Sequence, residues 1–141
     1  MRVRGGDGRV PSEPMSFDDA IVAAATSQLE VDLTTFGRKT GRASRRTVWV
    51  TPVERRLYVR SGRGLGRDWP QNLLANGRAI LHLEGQDVAV RARHVTDPAE
   101  ARATAAAVGR KYTTTTNTPS PDSGPLTPAE QATFELLPDG A

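Results

Sequence analysis

"VDLTTFGRKTGRASRRTVWVTPVERRLYVRS", residues 31–61, decides the fold. In "EVDLTTF" Val31, Leu33 and Thr35 alternate with Asp32, Thr34 and Phe36, the period of two that gives a strand two distinct faces. "RRTVWVTPV", residues 45–53, is rich in β-branched and aromatic side chains, and "RLYVRS", residues 56–61, forms a third such run. "GRKTGRAS" and "ERR" connect the runs tightly, so the three strands are expected to form an antiparallel meander.

Upstream, residues 1–15 are rich in Gly, Pro and charge and are expected to be a disordered tail, with Met15 an alternative start to Met1. A helix is expected over "SFDDAIVAAATSQL", capped by Ser16, with Phe17, Ile21, Ala24 and Ala25 as its buried stripe. Downstream, "RDWPQNLLANG" reads as a short helix, because Pro70 fits only a first turn and Gly77 ends the run. "RAILHLEG" and "QDVAVRARHV" are two more strands. "DPAEARATAAAVGRKY" is a helix capped by Asp97, and "QATFELLP" is a last strand. Residues 113–128, with four prolines, are expected to be a flexible loop. The order α-βββ-α-ββ-α-β predicts one mainly β domain over residues 16–141, a small barrel with peripheral helices rather than a parallel α/β sheet.

Composition narrows the function classes. The 141 residues contain no cysteine, which excludes disulfides and thiolate zinc sites and suits a reducing cytoplasm. No apolar run is long enough to span a membrane. The net charge is +3, but residues 38–67 hold ten basic groups against Glu54, a local net of +9. The other 111 residues hold 9 basic and 15 acidic groups, a net of −6, so the charges are segregated. An anionic ligand is the expected reason. Arginines outnumber lysines 17 to 2, which suits bidentate phosphate or carboxylate binding. Nucleic acid is a minor alternative: aromatic residues make up only 5%, and they do not interleave with the basic run.

Several motifs fail on their own terms. Lys39-Thr40 is preceded by Arg38 and followed by a strand, so "GRKT" is a hairpin tip and not a P-loop. In "RSGRGLGRDW" the third glycine of a dinucleotide fingerprint falls on Arg67. The backbone of that turn, opening a helix amid Arg60, Arg63 and Arg67, still suits an anion. Thr47 and Trp49 share one strand face and either line a groove or pack ordinarily. His82 and His94 have no partners at metal-ligand spacing, and no nucleophile elbow or triad order is present. Tyr112 is a candidate proton donor or, alternatively, a helix-end anchor.

With these pieces in place, "LTTFGRKTGR", a strand ending in "RS" with its glycine turn, Trp69 and "NLLANGRAILHL" resemble the flavin/deazaflavin oxidoreductase superfamily. These are the split β-barrel relatives of pyridoxamine 5′-phosphate oxidase, and the likeness over residues 30–112 is nearest the actinobacterial deazaflavin-dependent nitroreductase-like branch or a neighbouring uncharacterised family. The resemblance implies a six-stranded split barrel and a homodimer. It implies a cofactor, deazaflavin coenzyme F420 first or FMN, used for hydride transfer to a small organic substrate. The implied phosphate contacts are Arg38, Lys39, Thr40 and Gly41, with Ser61, Gly62 and Arg63. Trp69 and Asn72 match the short helix beside the site, and Thr47 and Trp49 would back the ring. The substrate-handling tyrosines of the nitroreductase branch are reduced here to Tyr112, which leaves the substrate open. A non-catalytic binding protein of the same fold is the alternative.

Overall fold

A computed structural model describes residues 17–112, 119–121 and 124–139. The expected tail and much of the expected 113–128 loop lie outside the described residues. The first helix, α1, is Asp19–Ser27. Its cap is Asp18 rather than Ser16: the Asp18 carboxylate accepts from the Ile21 amide at 2.9 Å, where the helix dipole also favours negative charge. Phe17, Ile21, Ala24 and Ala25 form its buried stripe.

Strand β1 is Val31–Phe36. The run expected as one middle strand breaks at Trp49 into β2, Ala43–Val48, and β3, Val50–Val53. β2 pairs with β1, placing Val48 opposite Val31. β3 pairs with β4, Arg56–Arg60, placing Val50 opposite Val59. The two expected hairpins therefore form, but on different halves of a bent strand. Val48 and Val50 are both buried while Trp49 between them is not, so the bend keeps the inward alternation and changes the strand's neighbour.

Helix α2 follows at Asp68–Ala75, with Pro70 in its first turn. It ends at the Asn76 cap, and Gly77 serves a different purpose from the one expected. The Ala92 carbonyl oxygen lies 3.0 Å from where a Gly77 Cβ would sit, and the Ala92 amide donates to the Gly77 carbonyl at 2.7 Å. Glycine is there to let that backbone approach.

β5, Arg78–Leu83, and β6, Gln86–His94, are joined through Glu84 and Gly85, both at positive φ. Helix α3 is Pro98–Tyr112. A short helix that the sequence reading lacked, α4, Pro128–Gln131, is built on a reciprocal Thr127–Glu130 capping box. It leads into β7, Thr133–Pro138.

The sheet order is β2-β1-β5-β6-β7-β4-β3, with every pair antiparallel. The two edges, β2 and β3, are halves of one chain segment, so the seven segments make six strands curled into a split barrel. Leu33, Val50, Leu57, Leu81, Val90, Phe134 and Leu136 fill its interior. Among the described residues no helix is long and apolar enough to cross a membrane.

Candidate functional site

The strand break opens a cleft of about 600 Å³. β2 contributes Arg46, Thr47 and Val48; Trp49 stands at the break, with Thr51 beyond it. The end of β4 and the glycine turn contribute Arg60, Ser61, Gly62 and Arg63. The start of α2 adds Arg67, Asp68 and Trp69, and α3 adds Val108. Four guanidinium groups thus face one carboxylate. Arg46, Arg63 and Arg67 form no ion pair with a carboxylate of the described residues, unlike Arg45, which is held by Asp32 at 2.7 Å. Burial lowers the pKa of Arg60 from its ordinary value, while the charge of Glu130 opposes that shift.

Local structure explains the cradle. Ser61 is buried, its amide donating to the Ala132 carbonyl at 3.1 Å, and its carbonyl accepts from Gly64 at 3.0 Å. Gly64, at φ +88, is 3.2 Å from Pro128 at its missing Cβ, so the turn lies tightly against α4. At Gly62 a Cβ would meet nothing within 4 Å, which leaves that backbone open to a ligand. Thr47 donates to Asp32 at 2.9 Å. Trp69 is tilted against Phe134 at 6.2 Å and so is braced by the core.

Trp49 is 40% exposed and stacks on Tyr112, with centroids 3.9 Å apart and planes 6° from parallel. Tyr112 in turn donates to the Leu29 carbonyl at 2.7 Å, and burial pushes its hydroxyl up to about 12. Beside it, Lys111 donates to the carbonyls of Ala25, Gln28 and Val50. The last turn of α3 thereby clamps the end of α1 and the start of β3, which holds Trp49 with one face backed.

The cleft thus brings together Thr47, Trp49, Arg60, Ser61, Gly62, Arg63, Arg67 and Trp69. The hairpin tip, Arg38, Lys39, Thr40 and Gly41, does not line it, and neither do Asn72 and Tyr112. Gly41, at φ +74, and the Thr40 hydroxyl, 3.3 Å from the Arg42 amide, shape the tip. Arg38 donates to Asn72 at 3.2 Å, and Asn72 donates to Thr35 at 3.0 Å, so Asn72 docks the tip on α2. From the basic hairpin it is Arg46, on the returning strand, that reaches the cleft. Residues the sequence reading missed are Arg46, Thr51, Asp68 and Val108. Only Arg46 had a signal, its place in the basic run.

A second constellation also escaped the sequence reading. Thr34 Oγ1 lies 2.8 Å from His82 Nε2, and His82 Nδ1 lies 2.7 Å from Asp87. The order is that of a nucleophile–base–acid relay, but it spans β1, β5 and β6 and none of the three lines the cleft. It is a side-chain ladder across the sheet.

Residues 21–136 match the family described as an uncharacterized protein conserved in bacteria, DUF2255. The chain belongs to that family. No curated protein matches the sequence. Among solved structures, this DUF2255 chain is similar to HutZ, the heme storage protein from Vibrio cholerae, at TM-score 0.63 and 14% identity over 90% of this chain and 93% of that one. It is similar to an F420 reductase at TM-score 0.56 and 18% identity over 84% and 92%. It is similar to an FAD-binding protein from Mesorhizobium loti at TM-score 0.56 and 15% identity over 89% and 92%. Identities this low show the shared fold, the split barrel of the pyridoxamine 5′-phosphate oxidase type.

The cleft of the DUF2255 chain is lined by four arginines and two tryptophans. Guanidinium groups and open turn backbone suit phosphate or carboxylate oxygens. The indole of Trp49 suits a ring system. Thr51 Oγ1, buried and without a hydrogen-bond partner among the described residues, suits a polar ring edge.

Proposed function

We propose that the protein binds a deazaflavin of the F420 type, or FMN, in this cleft and acts as a reductase on a small organic substrate. The observation that carries the reading is the convergence of Arg46, Arg60, Arg63 and Arg67 on a cleft walled by Trp49 and Trp69. Arg63 and the backbone at Gly62 hold the phosphate. Arg46 and Arg67 offer charge to further acidic groups. Trp49, held by Tyr112, orients the ring, and Val48 and Val108 exclude water from its face. The bound cofactor supplies hydride chemistry; the chain supplies position and electrostatics. The resemblance also implies a homodimer, which sedimentation checks.

Titration with F420 and with FMN, followed by fluorescence and thermal shift, tests the reading. Binding of one at micromolar concentration, weakened by added salt, supports it. Absence of binding by either refutes it.

A non-catalytic holding role is favoured by one observation: apart from arginines, Asp68 is the only titratable side chain among the described residues that line the cleft. No histidine, lysine or tyrosine of the described residues is there to move a proton. Binding without oxidation of reduced cofactor, across quinones, nitroaromatics and enones, selects this second reading.

A further inference from the structure

Thr51 Oγ1 is the one buried side-chain polar atom of the described residues with no hydrogen-bond partner. Thr51 is 2% exposed and lies on β3 opposite Tyr58, in the cleft wall. Burying an unpaired hydroxyl is unfavourable, and valine, of nearly the same shape, avoids it in a strand that favours valine anyway. The other side-chain hydroxyls of the described cleft lining are differently placed: Thr47 already donates to Asp32, and Ser61 sits in the glycine turn among the arginines. A threonine hydroxyl offers one donor and two acceptor positions.

We infer that Thr51 Oγ1 is a ligand contact of the cleft, reading a carbonyl or ring N–H on the inner edge of a planar heterocycle whose anionic end lies on the arginines. This rests on the reading given under Proposed function. Thr51 also borders a second hollow of about 420 Å³, with Ala107, Arg110 and Lys111. All three Lys111 protons there are committed to carbonyls, and Glu54 adds a carboxylate. The cleft, with four arginines, is the better place for an anionic ring.

The test compares wild type with T51V, T51S and, in the second hollow, R110A, using F420 and FMN as probes. T51V is expected to raise the melting temperature of the ligand-free protein by about 2–5 °C and to weaken binding about tenfold. T51S, which keeps the hydroxyl, is expected to bind within about twofold of wild type. R110A is expected to leave affinity unchanged. A purely structural hydroxyl would give the opposite sign in melting temperature and no change in affinity. Unchanged affinity in T51V, with wild-type binding intact, overturns the inference, as does weakened binding in R110A. Failure of wild type to bind either probe is a different result and overturns the underlying reading.

Discussion

Replacing Lys111 with methionine removes a cation and keeps most of its stem. Lys111 Nζ donates to the Ala25, Gln28 and Val50 carbonyls at 2.7, 2.8 and 2.6 Å. Two of these acceptors belong to the last turn and cap of α1, where a helix leaves carbonyls unpaired and its dipole favours positive charge. The third begins β3, next to Trp49. Hydrogen bonds to a charged donor contribute about 1.5–3 kcal/mol each, so the gross loss is about 5–9 kcal/mol. Two effects offset it. The ammonium is desolvated, which pushes it down to about 8, and water can reach the end of α1 once the lysine is gone. A net loss of about 3 kcal/mol remains, which lowers the melting temperature of a domain this size by about 10 °C. Urea unfolding followed by circular dichroism and tryptophan fluorescence measures it, with an unchanged m-value.

The sign of the pH dependence supplies a second check on the same residue. The folded-state value of about 8 lies below the ordinary 10.5. Between the two, the unfolded chain holds a proton that the folded one lacks, so stability rises with pH. Wild type should gain stability from about pH 8 to about 9.5, below the tyrosine range, and K111M should lack that gain. A loss under about 1 kcal/mol, or the same pH slope in both proteins, refutes the clamp.

Three further expectations follow from the site and its supports. Arg63→Ala and Arg67→Ala should each weaken cofactor binding about tenfold and flatten its salt dependence, while Arg45→Ala, outside the cleft, leaves both unchanged; isothermal titration at two ionic strengths decides. Tyr112→Phe keeps the stack on Trp49 and should cost about 1 kcal/mol, whereas Tyr112→Ala should also change Trp49 emission and weaken binding. Glu130 is buried, accepts from the Ser120 and Thr127 amides, and has a pKa lowered from 4.5, so its contribution to stability is lost as pH falls through the lower folded-state value. Glu130→Gln should therefore be less stable by about 1–2 kcal/mol at neutral pH, and the difference should shrink in acid-unfolding curves below about pH 4.

Much of the barrel was legible because its signals are local. Alternation in Val31–Phe36 and tight turns around Gly41 and Gly85 specify strands and hairpins without reference to the rest of the chain. Asp97 and Pro98 marked α3 in the same way. The bend at Trp49 was not legible, because period-two alternation continues through it: Val48 and Val50 both point inward. Which strand each half pairs with is settled by contacts many residues away. The cleft was half legible. Arg60, Arg63 and Arg67 stood out by clustering, Gly62 by its glycine turn and Ser61 only through the family resemblance, but Arg38 and Lys39, equally basic, fell outside the cleft, where Arg38 is held by Asn72 of α2. The salt-bridge network of Arg56 and Arg93 with Glu100 and Glu135, drawn from four elements, had no sequence signature.

By itself, then, the sequence determined most of the strands, helices and turns, α4 and the break at Trp49 excepted, and that one stretch carries an excess of positive charge. Those follow from side-chain shape, backbone freedom and charge, all local properties. Only the tertiary structure decided that one strand serves both edges of the sheet, that Arg46 rather than Arg38 reaches the cleft, and that Thr51 keeps an unpaired hydroxyl in its wall. Each of these depends on which distant groups share a neighbourhood, and burial and pairing are set by the whole packed barrel.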